Sequence, residues 1–268
     1  MRGSTDLPVG VGGGVRGPAR RLLDVAAVRS LVASVGGSVV GGVVAGGVGA
    51  RLVMRISAVV AEEDVRGALT ENGNRVGEIT VEGTIGLLVF GGIFTGLVGA
   101  PLLLALRRLL PARRLPLWVA AVVLTIGSQT ALDPRNSDFV VLGARALNVA
   151  MFASLFLLYA AVAVWSAERL ETWLVRPPLV HLAGLGIVGG VVGAGLGLLA
   201  MGTLLGFAEG PFRTTAVAAA IVATIIGGAA AFLDDGRRRS LDVVGRASLA
   251  VACAAGGWAL VTDLAAIL

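Results

Sequence analysis

The chain has 268 residues, of which 56% are hydrophobic and 15% charged, and its mean hydropathy is +0.89. A soluble fold of this size has no place to hide that much apolar surface, so a water-soluble globular domain is excluded and lipid is the expected solvent. The net charge of +5 comes from 22 arginines and no lysine, which removes any phosphate loop ending in Gly-Lys-Ser/Thr and with it a nucleotide-driven pump.

Residues 1–28 read as a flexible cytoplasmic tail rich in Arg and Gly. They lack the short apolar run and small-residue cleavage site of a secretory signal. Arg16, Arg20 and Arg21 are suited to anionic headgroups, each adding about 1 kcal/mol of attraction. Residues 29–268 read as one transmembrane domain. Roughly 20 apolar residues in a helix cross a bilayer core. By that measure spans fall near 30–53, 84–106, 117–132, 140–165, 182–207, 214–233 and 247–268. The expected fold is all-α transmembrane, a bundle of about seven helices with a short extracytoplasmic β-hairpin-like loop between the first two.

Orientation follows the arginines. Fifteen fall on the side of the amino terminus: Arg2, Arg16, Arg20, Arg21, Arg29, Arg107, Arg108, Arg113, Arg114, Arg169, Arg176, Arg237, Arg238, Arg239 and Arg246. The other side carries seven. The reading is a multi-pass protein of a bacterial plasma membrane, with a cytoplasmic amino terminus and an extracytoplasmic carboxyl terminus. The same bias accounts for a pI near 11.0, so nucleic acid is excluded as a partner.

Glycine numbers 40 and clusters in the first and fifth spans. Gly37/Gly41, Gly42/Gly46 and Gly189/Gly193 are pairs four apart, each leaving a groove on one helix face where backbones can approach. Packing within the bundle is one use of such a groove. A homo-oligomer or protein-partner contact, or a helix that moves during transport, is another.

The first connection, residues 56–83, carries six acids against Arg66 and Arg75, with Asn72-Gly73 as a type I′ turn signal. Val76, Ile79 and Val81 favour strands, so residues 69–82 read as a hairpin. Arg51 and Arg55 stand four apart near the outer end of the first span, against the charge trend. Three roles are open to them: snorkelling to headgroups, ion pairs with Glu78 or Glu82, or an anion site. A second polar group gathers at the outer ends of spans three and four: Gln129, Thr130, Asp133, Asn136, Asp138, Arg145 and Asn148. An Asp138–Arg145 or Asp133–Arg145 pair would fix that loop. Alternatively, Arg51, Arg55, Glu78, Asp138, Arg145 and Asn148 line an outward-facing vestibule, and these six are the candidate binding residues. Asp263 reads first as an interfacial residue, second as a partner for an arginine of that vestibule.

One His and one Cys make no His/Cys metal cluster, haem pair or iron–sulfur site, and no cofactor is expected. No catalytic residues are assigned. The segments Gly49–Arg55, Leu69–Asn74, Val76–Thr80 and Glu82–Thr84, with Asn136–Phe139 and Asn148–Phe152, resemble a group of uncharacterised actinobacterial integral membrane proteins. The resemblance covers the middle half of the chain and implies a shared outer loop, Thr-Glu-Asn-Gly-Asn-x-Val-Gly-Glu-x-Thr, without an activity. A binding, structural or assembly role through the extracytoplasmic face is the first functional reading, with membrane lipids and a protein or second copy as partners. A transporter of a small solute or lipid is the second, and an enzyme acting on a lipid-linked substrate the third. The midplanes of the spans read as Gly, Ala, Val, Leu, Ser and Thr, which counts against ion-coupled transport.

Overall fold

A computed structural model describes residues 17–60, 80–134, 144–174, 197, 210–230 and 235–268. Those residues are helical and contain no strand. The first long helix is α1 (Gly17–Gly42), a π-helical stretch (Val43–Gly49) and α2 (Ala50–Val60) in direct succession. The second is α3 (Val81–Gly86), a π-helical stretch (Leu87–Phe94) and α4 (Thr95–Leu109). There follow α5 (Leu115–Ala131), α6 (Arg145–Trp173), α7 (Pro211–Ala230) and α8 (Asp235–Ile267). Five stretches are long and apolar enough to cross a membrane: Ala27–Val60, Val81–Leu109, Arg145–Trp173, Pro211–Ala229 and Arg239–Ile267.

These overlap the expected spans 1, 2, 4, 6 and 7, and α5 occupies the place of span 3. Most of these helices outrun the sequence boundaries at one end or both, because a hydropathy reading stops at the first charge while the backbone continues into the interface. Span 4 is shifted along the chain at both ends. Its helix opens at Arg145 instead of residue 140, so Arg145 and Asn148 sit in its first turn and not deeper in the span. Span 5 lies outside the described residues except Gly197, which is helical and buried. A Cβ on Gly197 would stand 2.9 Å from Pro101 Cγ of α4.

The helices close into a ring in which each contacts its neighbours in the order α1, α6, α5, α8, α7, α4 and back to α1. Leu103, Leu106 and Leu109 of α4 meet Val119 and Val122 of α5 and Val164 of α6 at the centre, each no more than 1% exposed. The outward faces carry the larger apolar side chains, such as Val48, Leu52, Phe90, Leu117 and Val261. Apolar side chains on the outward faces are what lipid favours, and helices there associate by close packing and not by escape from water.

Glycine sets the closest approaches. A Cβ on Gly37 would meet the Ala163 carbonyl oxygen and the Ala167 Cβ of α6 at 2.6 Å, and one on Gly41 the Ala163 Cβ at 2.8 Å. The other face of the same helix meets the second: a Cβ on Gly42 would reach the Gly96 nitrogen at 2.8 Å, and one on Gly96 the Val39 Cα at 2.6 Å. Both glycine pairs of the first span are therefore occupied within the chain. Gly189 and Gly193 lie outside the described residues.

The expected hairpin is largely outside them too, and its last residues are not strand. Thr80 is extended at φ −103°, and its Oγ1 accepts from the Gly83 N–H at 3.0 Å. That is a helix N-cap with Glu82 in the first turn, where an acid complements the helix dipole. Local capping chemistry outweighs the strand preference of Val81.

Candidate functional site

Side-chain contacts divide the bundle into two ends. At one, Arg107 of α4 pairs with Glu171 of α6 and donates from Nη1 to Ser34 Oγ of α1 at 3.2 Å. Arg246 Nε of α8 donates to the Leu109 carbonyl at 2.7 Å. This is the arginine-rich end. At the other, the loop end, Arg145 at the start of α6 donates from Nη1 to the Ile267 carbonyl of α8 at 3.3 Å. The two are the length of α6 apart, 29 residues, or about 44 Å at 1.5 Å per residue.

The vestibule residues that the structure describes serve as ties between helices. Ser57 Oγ of α2 donates to Asn148 Oδ1 of α6 at 2.7 Å, and both residues are within 2% of full burial. Arg51 Nη2 donates to the Thr80 carbonyl at 3.3 Å, pinning α2 to the start of α3. Neither Arg51 nor Arg55 forms an ion pair with Glu82 among the described residues; a backbone carbonyl takes the Arg51 guanidinium instead. Arg55 is exposed, as a snorkelling arginine is. Glu78 and Asp138 lie outside the described residues. The structure thus places Arg51, Arg55, Arg145 and Asn148 at one end, where the contacts described for Arg51, Arg145 and Asn148 run to neighbouring helices.

The cluster that does form uses a residue the sequence reading passed over. Arg213, in the first turn of α7, reaches Asp263 of α8 at 2.8 Å and Asp133 beyond α5 at 3.3 Å. The sequence offers Asp133 or Asp138 as the partner of Arg145, and for Asp263 the interface first and an arginine of the vestibule second; Asp133 and Asp263 both face Arg213. All three side chains are at least four-fifths buried, so each charge needs a partner. Arg213 counted only toward the charge bias in sequence, because its partners are 80 and 50 residues away along the chain and nothing local marks them.

The second omission is Tyr159, at the middle of α6. Its hydroxyl is hydrogen-bonded to that of Ser38 of α1, and both residues are buried. The pair abuts Gly99, whose missing side chain leaves room for Ser38 Oγ at 3.0 Å from a Cβ position. The middle of the bundle is therefore not free of polar groups, but this pair satisfies itself. Thr125 and Thr224 similarly return their hydroxyls to the carbonyls of Ala121 and Ala220. Among the described residues no group of three His, Cys, Asp or Glu side chains is placed to hold a metal ion. Comparison of the chain with protein-family models, with curated proteins and with solved structures gives no match.

Proposed function

We propose that this is a seven-span membrane protein that works as a binding or assembly component through the face at its loop end. Two observations support seven crossings. Leu174 closes α6 beside the arginine-rich end, and Gly210 precedes α7 at the loop end, so the intervening chain has to pass from one end to the other. Gly197, on that path, sits against Pro101 of α4. With the positive-inside bias, the arginine-rich end is cytoplasmic and the loop end extracytoplasmic.

The observation that carries the functional reading is how the polar groups are spent. Ser57–Asn148, Arg51–Thr80, Arg145–Ile267 and the Arg213 cluster each join two or three helices, and among the described residues the leucine-rich centre between α4, α5 and α6 is packed. Such a bundle suits a rigid platform for the acidic first loop better than a conduit. Native mass spectrometry of the protein released gently from its own membrane tests this. A stoichiometric protein partner, lost when residues 70–76 are replaced by a Gly-Ser linker, is the expected result. A bare chain before and after replacement removes the reading.

The π-helical stretches Val43–Gly49 and Leu87–Phe94 favour the second reading, transport of a small solute or lipid. They pack against each other, and irregular, glycine-rich helix is what transporters use where a substrate meets backbone. Uptake by proteoliposomes that Gly92→Leu abolishes, with the fold intact, would favour that reading over the first.

A further inference from the structure

A groove of about 660 Å³ opens on the outer surface of α6 toward the arginine-rich end. Trp165, Arg169 and Trp173 line it at intervals of four, so they stand in one row along a single helix face. The Arg169 guanidinium carbon is 5.9 Å from the centre of the Trp165 ring, within the range of a cation–π contact. Trp165 is 60% and Trp173 58% exposed. Val40 of α1 supplies the apolar wall nearer the middle of the bundle.

The second observation is Ser166. It lines the same groove, is 6% exposed, and its hydroxyl has no hydrogen-bond partner. Ser34, Thr125, Thr224 and Thr262 all return their hydroxyls to a carbonyl three or four residues back. Ser38 and Ser57 find partners on other helices, and among the described residues Ser166 is the buried hydroxyl left without one. A buried hydroxyl without a partner is a standing penalty, and a ligand oxygen here would remove it.

We propose that this groove binds the headgroup phosphate of an anionic glycerophospholipid from the leaflet at the arginine-rich end. Arg169 meets the phosphate as a charge-assisted donor, and the Ser166 hydroxyl donates to a headgroup oxygen. The two indoles flank the headgroup at the depth where aromatic residues collect, and an acyl chain runs past Val40. Charge decides the lipid class. Arg169 is the ionisable group lining this groove, whereas Glu168 and Glu171 line an adjoining one with Arg29, the two meeting at Thr172. A zwitterionic headgroup brings an ammonium that Arg169 repels. The site is at the opposite end from the proposed assembly face, so its failure leaves that reading standing. It shares with it only the membrane setting.

The test uses the full chain with Trp118→Phe and Trp258→Phe, which leaves Trp165 and Trp173 as the indoles. The protein is placed in phosphatidylcholine nanodiscs with rising fractions of brominated phosphatidylglycerol or brominated phosphatidylcholine, and indole quenching is followed. Half-maximal quenching is expected at a roughly fivefold lower fraction of the anionic lipid. Arg169→Gln should erase that preference, Ser166→Ala should reduce it, and Arg113→Gln at the same end should leave it intact. Arg169→Lys, which keeps the charge, should retain part of it and controls for a folding defect in the glutamine variant. Identical curves for the two lipids overturn the proposal. So does equal loss with Arg113→Gln, which would mean a diffuse surface attraction. Absence of quenching by either lipid, with a dimer in the native mass spectrum, would assign the groove to a second copy instead.

Discussion

Arg213 Nη2 of α7 stands 2.8 Å from Asp263 Oδ2 of α8, closing the loop end of the bundle between its last two helices. The same guanidinium also reaches Asp133. One arginine thus holds α7, α8 and the residues after α5.

Removing the arginine should cost more than removing either acid. Arg213→Ala removes the guanidinium that two buried carboxylates share, a loss of about 3–5 kcal/mol by analogy with broken buried pairs. Asp263→Asn should cost less, because Asp133 still faces the arginine. Thermal unfolding of detergent-solubilised protein measures both. An Arg213→Ala variant that melts with the wild type would show that the pairs contribute nothing.

Glycine substitutions should separate by contact and not by helix propensity. Gly37→Ala places a methyl 2.6 Å from the Ala163 carbonyl oxygen, so α1 and α6 must part, and both melting temperature and folded yield should fall. Gly228→Ala on α7 meets nothing within 4 Å and should be neutral or stabilising by about 0.5–1 kcal/mol. The reverse order would contradict the packing of α1 on α6.

The hydroxyl pair at the middle of the bundle calls for a double-mutant cycle. Tyr159→Phe and Ser38→Ala should each destabilise by about 0.6–1.7 kcal/mol, the range for hydrogen bonds between membrane helices. Together they should cost less than the sum, since neither then leaves a stranded partner. Strict additivity would mean that the two hydroxyls do not interact.

Topology is checked from outside whole cells. In a Cys253→Ser background, an impermeant thiol reagent should modify Asn74→Cys and spare Gly236→Cys. Labelling of the second alone would invert the arrangement.

Much of the fold was legible along the chain because a lipid-spanning helix is a one-dimensional object. Its length and apolarity are sums over consecutive residues, so α5 appears at 115–131 against an expected 117–132. The glycine pairs were legible as grooves for the same reason: residues four apart share a face whatever the partner. Span ends were less so. The opening of α6 moved from residue 140 to Arg145, and Val81 turned helical, because caps and interfacial charges set the last turn.

Partners were the part that hydropathy does not contain. Asp133 has Arg145 as a candidate partner along the chain and Arg213 as its partner in space; which it meets depends on the ring order that sets α8 between α5 and α7. Tyr159 reads as one more apolar-span residue until the rotation of α6 turns it toward Ser38. Composition and periodicity therefore establish the solvent, the helices and their small-residue faces, since those depend on adjacent residues. The ion pairs, the packed centre and the row of Trp165, Arg169 and Trp173 beside an unpaired Ser166 exist through helix rotation and neighbour choice, which are set by packing between segments far apart in the chain.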